Sequence, residues 1–232
     1  MTTPASTDDT PSRLAALRTR LDAVDTGIHR LLRERFEIVE EIGAAKGPDE
    51  SVIRPAREAA VIENRLTLHK GAMPPEMLAH FWRTLISAAC QVQRRFAIHT
   101  AGAIEVALFL YGPVTVESHD AGADAVAALG TGDVAVVPFD GDWWRPLVAS
   151  TSQEDNDAAP AHVIGRCGTT AGGTVLILGG SGVSPGTGPE AAVLRAGEPL
   201  LVSASAIAAD DTVLGRFHPF PIEIPVARTS AS

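Results

Sequence analysis

Cysteine is scarce in this chain. Its two residues, Cys90 and Cys167, lie far apart and form no ligand spacing. A disulfide framework is thereby excluded, and free thiols in a cytoplasmic protein are the expectation. No apolar run approaches the ~20 residues that cross a bilayer, so no membrane span is expected. The opening MTTPASTDDTPS has neither a basic nor an apolar stretch. No signal peptide is read there, and residues 1–10 are expected to be a disordered tail. The seven histidines show no metal spacing, no Ser-His-Asp set can be assembled, and neither a metal nor a cofactor is expected. No internal repeat is found.

Basic charge is scarce in one half only. Residues 1–100 hold 14 Lys+Arg against 13 Asp+Glu, whereas residues 101–232 hold 5 against 15. The acidic second half argues against nucleic-acid or anionic-membrane partners. An anionic small molecule, if one binds, belongs to the first half. With 45% hydrophobic residues over 232 positions, the chain can bury a sizeable core.

The expected fold class is α + α/β, a long-short-long helical unit over residues 11–100 followed by a small α/β domain over 101–232. Thr10-Pro11 supplies an N-cap with proline at the first helical position. From Leu14 to Ala45 apolar residues recur at threes and fours, which predicts a helix of about 36 residues, roughly 54 Å long. Such a rod needs a second chain or a long partner helix to cover its stripe. Further helices are expected from Arg54-Pro55 to Lys70-Gly71 and from Pro74-Pro75 to about Ala97. Beyond Ala101-Gly102, AIEVALFLYG, DVAVVPFDG, AHVIGRCG, TVLILGG and PLLVSA read as buried strands. GADAVAALG and GPEAAVLRAG read as helices, with a turn around DDTVLGR. STSQEDNDAAP, residues 150–160, reads as a mobile loop.

The charges on the first helix are oddly placed. Arg35 and Lys46 fall on the apolar stripe, eleven residues apart and so about 20° apart in rotation. Arg18 lies some 25 Å before Arg35, roughly 100° off that face. It cannot easily join them within one straight helix, but it can meet the same site on a second copy if two long helices run antiparallel. Arg57 and Glu58 on the second helix and Gln93 on the third complete the set. Taken singly, each has an ordinary explanation: a snorkelling arginine, a lysine complementing a helix C-terminus, an exposed pair, a core amide. Taken together, these cations exceed the nearby anions, and a ligand with two carboxylates would balance them.

LRTRLDAVDTGIHRLLRERFEIVEEIGAAK, RPARE and the third helix ending in Gln93 resemble the all-helical class of chorismate mutases, of the type fused to prephenate dehydratase. The resemblance implies an intertwined homodimer converting chorismate to prephenate, an isomerase of aromatic amino acid biosynthesis that needs no cofactor. It also implies roles. Arg18, from the second copy, and Arg35 bind the two carboxylates, while Lys46 and Gln93 hold the ether oxygen. Glu58 binds the ring hydroxyl, and Arg57 supports it. Two departures stand out: Arg54 replaces an acidic residue of the simplest members, and Ala89 replaces a serine one turn before the glutamine. Weaker binding or slower turnover is expected from them.

The reaction is a unimolecular [3,3] rearrangement, so no nucleophile, metal or base is required. The site must hold a chair-like conformer and stabilise charge on the breaking oxygen. Arginine suits a carboxylate through its planar fork. IEVALFLYG with DVAVVPFDG also resembles the opening lobe of prephenate dehydratase, but that family's Thr-Arg-Phe motif is absent, and no dehydratase activity is expected. In DGDWWRPL, Trp143, Trp144 and Arg145 read either as a ligand lip or as a loop pinned to the core. GGSGVSPGTGPE, residues 179–190, resembles a phosphate loop between strand and helix but lacks the Walker lysine. Two other functions remain open: an isochorismate-pyruvate lyase, or a non-catalytic regulator whose helical dimer holds sensor lobes.

Overall fold

The computed structural model describes residues 10–47, 50–150 and 161–226. The expected tail (residues 1–10), apart from Thr10, and the expected loop at 150–160, apart from Ser150, lie outside them. Two compact units divide between Ala45 and Lys46.

The first unit contains one helix, α1 (Thr10–Ala45), 36 residues long as the periodicity predicts. Thr19 and Thr26 turn their hydroxyls back onto the carbonyls four residues earlier and so sit in the helix without an unmet donor. Arg30–Glu34 and Arg33–Glu37 pair one turn apart on its surface, each adding only tenths of a kcal/mol. Leu14, Leu17, Leu21, Val24, Ile28, Leu31, Ile38 and Ile42 are all exposed, between 46% and 59%.

The second unit opens with α2 (Pro55–Leu68) and α3 (Pro75–Gln93), each with proline in its first turn, where no backbone donor is lost. The third helix therefore stops short of the expected Ala97. Arg94 is extended because the chain turns into strand β1 (Ile98–Thr100). Then follow α4 (Ile104–Tyr111), β2 (Val116–Ser118), α5 (Gly122–Ala127), β3 (Val134–Pro138), α6 (Arg145–Ser150), β4 (His162–Gly168), β5 (Thr174–Gly179), β6 (Glu190–Arg195), β7 (Glu198–Ser203) and β8 (Thr212–Pro219). The sheet runs β2-β1-β3-β5-β4-β8-β6-β7. β1 is parallel to β2 and β3, β4 is parallel to β8, and the remaining neighbours are antiparallel. This mixed sheet with helices is the α/β half the sequence predicts.

Three local expectations are overturned. IEVALFLY is helix α4, not a strand: its apolar run is short, and Val106, Ala107, Leu110 and Tyr111 are buried in the core that also holds Ile86 and Cys90 of α3. EAAVLR is strand β6 rather than a helix, because it pairs on both sides, with β7 and β8. TVLGRFHP, expected as a turn, is β8, held between β6 and β4.

The glycine-rich segment after β5 consequently leads into a strand. Its glycines are there for close packing: a Cβ on Gly186 would lie 1.9 Å from the Arg216 carbonyl oxygen, and one on Gly188 1.9 Å from the Phe217 backbone. Trp143 is fully buried, donating from Nε1 to the Phe139 carbonyl at 2.8 Å, so it pins its loop to the core. Trp144 and Arg145 instead line an open cleft with Asp140, Asp142 and Glu198.

Candidate active site

On α1, Arg18 is exposed, and Arg35 is half-buried with its guanidinium 5.6 Å from the centre of the Phe36 ring. Lys46 falls just past the last helical residue, Ala45, and so leaves the helical stripe on which its spacing put it.

Four of the expected residues belong to the second unit. Lys46 donates from Nζ to the Ser51 carbonyl at 3.1 Å. Its pKa is held below the ordinary lysine value, first by partial burial and then by the positive charge of Arg54. The charges of Cys90, Glu50 and Arg94 contribute less. Gln93 bends its Nε2 back to the Ala89 carbonyl at 3.2 Å, and its Oε1 is buried with no hydrogen-bond partner. Ala89, one turn before Gln93, is itself buried.

Glu58 is buried at the start of α2 and held at both oxygens. Oε1 accepts the Arg54 N–H at 3.1 Å, and Oε2 accepts Arg83 Nη1 at 2.5 Å. Arg83 donates also to the Leu110 carbonyl at 3.0 Å and lies over the Tyr111 ring. Burial pulls the Arg83 pKa down, but the Glu58 carboxylate outweighs it and the net shift is upward. Tyr111, beside this pair, is pushed up by its own burial. Arg57 points outward and is exposed.

Sequence reasoning overlooked Arg83. The signal was present: Ala79, Arg83, Ile86 and Cys90 share one face of α3, and all four are buried. The structure also gives Arg54 a part. Its side chain pairs with Glu50, donates to the Ser51 carbonyl and adds positive charge beside Lys46. The segment just before α2 is in turn tied to the α/β half. Ser51 donates its hydroxyl to the Ile53 carbonyl at 2.6 Å and accepts the Ser184 N–H at 3.1 Å.

Residues 17–94, from within α1 to just past the end of α3, match the family described as chorismate mutase type II. Curated relatives agree. A bifunctional chorismate mutase/prephenate dehydratase of Neisseria gonorrhoeae is 38% identical over 85 residues, 37% of this chain and 23% of that protein. One from Aquifex aeolicus is 34% identical over 94 residues, 38% of this chain and 26% of the relative. One from Pseudomonas aeruginosa is 27% identical over 142 residues, reaching 55% of this chain and 39% of the relative. The chain thus matches about a quarter of the length of the first two. No solved structure matches it significantly. Among the described residues, no helix is long and apolar enough to cross a membrane.

Proposed function

We propose that the protein converts chorismate to prephenate in aromatic amino acid biosynthesis, as an intramolecular isomerase working as a homodimer in the cytoplasm. The observation that carries this reading is the family match over residues 17–94, which spans every member of the polar set from Arg18 to Gln93. The exposed apolar stripe of α1 supports the dimer, since eight large side chains left in water favour a second copy against that face.

In this reading residues 11–100 form the catalytic segment and 101–232 an accessory α/β segment. Arg35 and, from the second copy, Arg18 fork the two carboxylates. Lys46 and Gln93 bind the ether oxygen, whose charge grows in the transition state. Lys46 must then exchange the Ser51 carbonyl for substrate. Gln93 must turn its Nε2 from the Ala89 carbonyl, whereas its Oε1 has no hydrogen bond to give up. Glu58 accepts from the ring hydroxyl with its remaining lone pairs while Arg83 holds it, and Arg57 supports the same end. The dehydratase half of the relatives' name is not carried over, because no Thr-Arg-Phe motif occurs in the sequence.

The test is to mix purified protein with chorismate and identify the product by chromatography. Prephenate should form, disappear with Lys46→Ala, and not proceed to phenylpyruvate. Chorismate left untouched would overturn the reading, and pyruvate released from isochorismate would replace it with the lyase.

A further inference from the structure

The parallel pairing of the two outermost strands on one side of the sheet places His99 of β1 beside Glu117 of the edge strand β2. His119 follows two residues after Glu117, on the same face by the period of a strand. Its backbone N–H extends the pairing by bonding the Thr100 carbonyl at 2.8 Å. His99 Nδ1 lies 3.0 Å from His119 Nε2 and 3.6 Å from a Glu117 oxygen. One ligand atom from each of the three residues lies within 4.8 Å of the other two. No linear spacing announces this group, because strand pairing assembles it.

We infer that His99, Glu117 and His119 form a binding site for a divalent transition-metal ion of the zinc class. Bonds of about 2.0–2.1 Å at tetrahedral or octahedral angles separate ligand atoms by about 2.9–3.4 Å; the two imidazole nitrogens are already at that spacing, and the exposed Glu117 side chain need move only slightly to reach it. The donors suit one too, two imidazoles and a carboxylate. The surroundings of His99 fix its direction. Its ring is 4% exposed, and Nε2 has no hydrogen-bond partner. The carboxylate facing that nitrogen is Asp133, with Oδ2 at 3.5 Å. Asp133 is itself held by the N–H groups of Ala97 and Gly130, at 2.8 and 3.0 Å. An ion on Nδ1 leaves the ring proton on Nε2, facing Asp133, as in a carboxylate–histidine–metal relay. Two imidazole lone pairs 3.0 Å apart repel unless a proton or a cation lies between them. Glu117 is half-exposed on the edge strand, so an ion can enter without unfolding, and once bound it ties three-residue β2 to β1.

The full chain, stripped of metal and dialysed, is titrated with Co²⁺ and then with Zn²⁺. The expected result is one saturable Co²⁺ per chain with visible d–d absorption, displaced by Zn²⁺, and a melting temperature that rises with Zn²⁺. His119→Ala should weaken binding by more than tenfold and abolish the thermal shift, with its far-UV circular dichroism unchanged. Should that variant fail to fold, Glu117→Gln, at an exposed position, must show the weakening instead. The absence of saturable binding at micromolar metal overturns the site and leaves a histidine–histidine hydrogen bond. Undiminished affinity in the folded variants overturns it equally.

Discussion

Arg83 and Glu58, 25 positions apart, close a buried ion pair with Nη1 2.5 Å from Oε2, each side chain about 10% exposed. The pair joins α3 to the first turn of α2. It also means that the carboxylate proposed to meet the substrate hydroxyl is held from behind by a fixed cation.

Removing one member should be costly. Arg83→Met leaves a buried carboxylate without its partner, and a loss of about 3–5 kcal/mol is expected in urea unfolding. The double variant Arg83→Met/Glu58→Leu should recover much of that loss, because no uncompensated charge remains. Equal stability of the single and double variants would refute this account.

Lys46→Ala should lower kcat/KM by on the order of a hundredfold or more, since the cation on the breaking oxygen acts chiefly in the transition state. The fold should survive, because Lys46 makes its hydrogen bond to the carbonyl of an adjoining loop. Steady-state kinetics with circular dichroism on the same sample separates the two effects.

Activity should fall on the alkaline side before an ordinary lysine would titrate. Burial first, and Arg54 second, lower the Lys46 pKa, so the proton required at the ether oxygen leaves at lower pH. The sign for stability is opposite. Between the lowered folded pKa and the ordinary unfolded one, the unfolded chain binds more protons, and this residue's contribution to stability rises with pH. Arg54→Ala should move the alkaline limb of the kcat/KM profile upward. Gln93 does not titrate, so it should add no acidic limb.

If Arg18 serves the second copy's site, two dead variants should revive each other. A mixed dimer of Arg18→Ala and Lys46→Ala chains contains one complete site and one doubly damaged site. Random mixing should therefore restore roughly a quarter of wild-type activity. Leu21→Glu/Ile28→Glu, on the exposed stripe of α1, should give monomers in sedimentation and no activity.

The long helix was legible because threes and fours recur from Leu14 to Ala45 with only Arg35 breaking the apolar series and no proline between. Strands β3 and β5 were legible from short runs of Val, Leu and Ile between glycine and proline punctuation, and both are buried almost throughout. The errors fell where local propensity and tertiary pairing diverge. IEVALFLY has strand-like composition, yet it packs as a helix. EAAVLR has helix-forming composition, yet it is placed between two strands. Composition could have revealed Arg83, since its position on the buried face of α3 was visible in the sequence. Nothing linear could have revealed His99 beside Glu117, because only the pairing of β1 with β2 sets that distance.

Ser51 receives Lys46 on its carbonyl and the backbone of Ser184, from the glycine-rich loop, on its hydroxyl. One residue therefore stands between the accessory half and the cation proposed to drive the rearrangement. Linkage makes the traffic reciprocal: any metabolite that holds the loop differently when Lys46 is engaged must change chorismate affinity by the same factor as chorismate changes its own. A ligand acting on Lys46 in this way would need no contact with the substrate, only a grip on the loop behind Ser51.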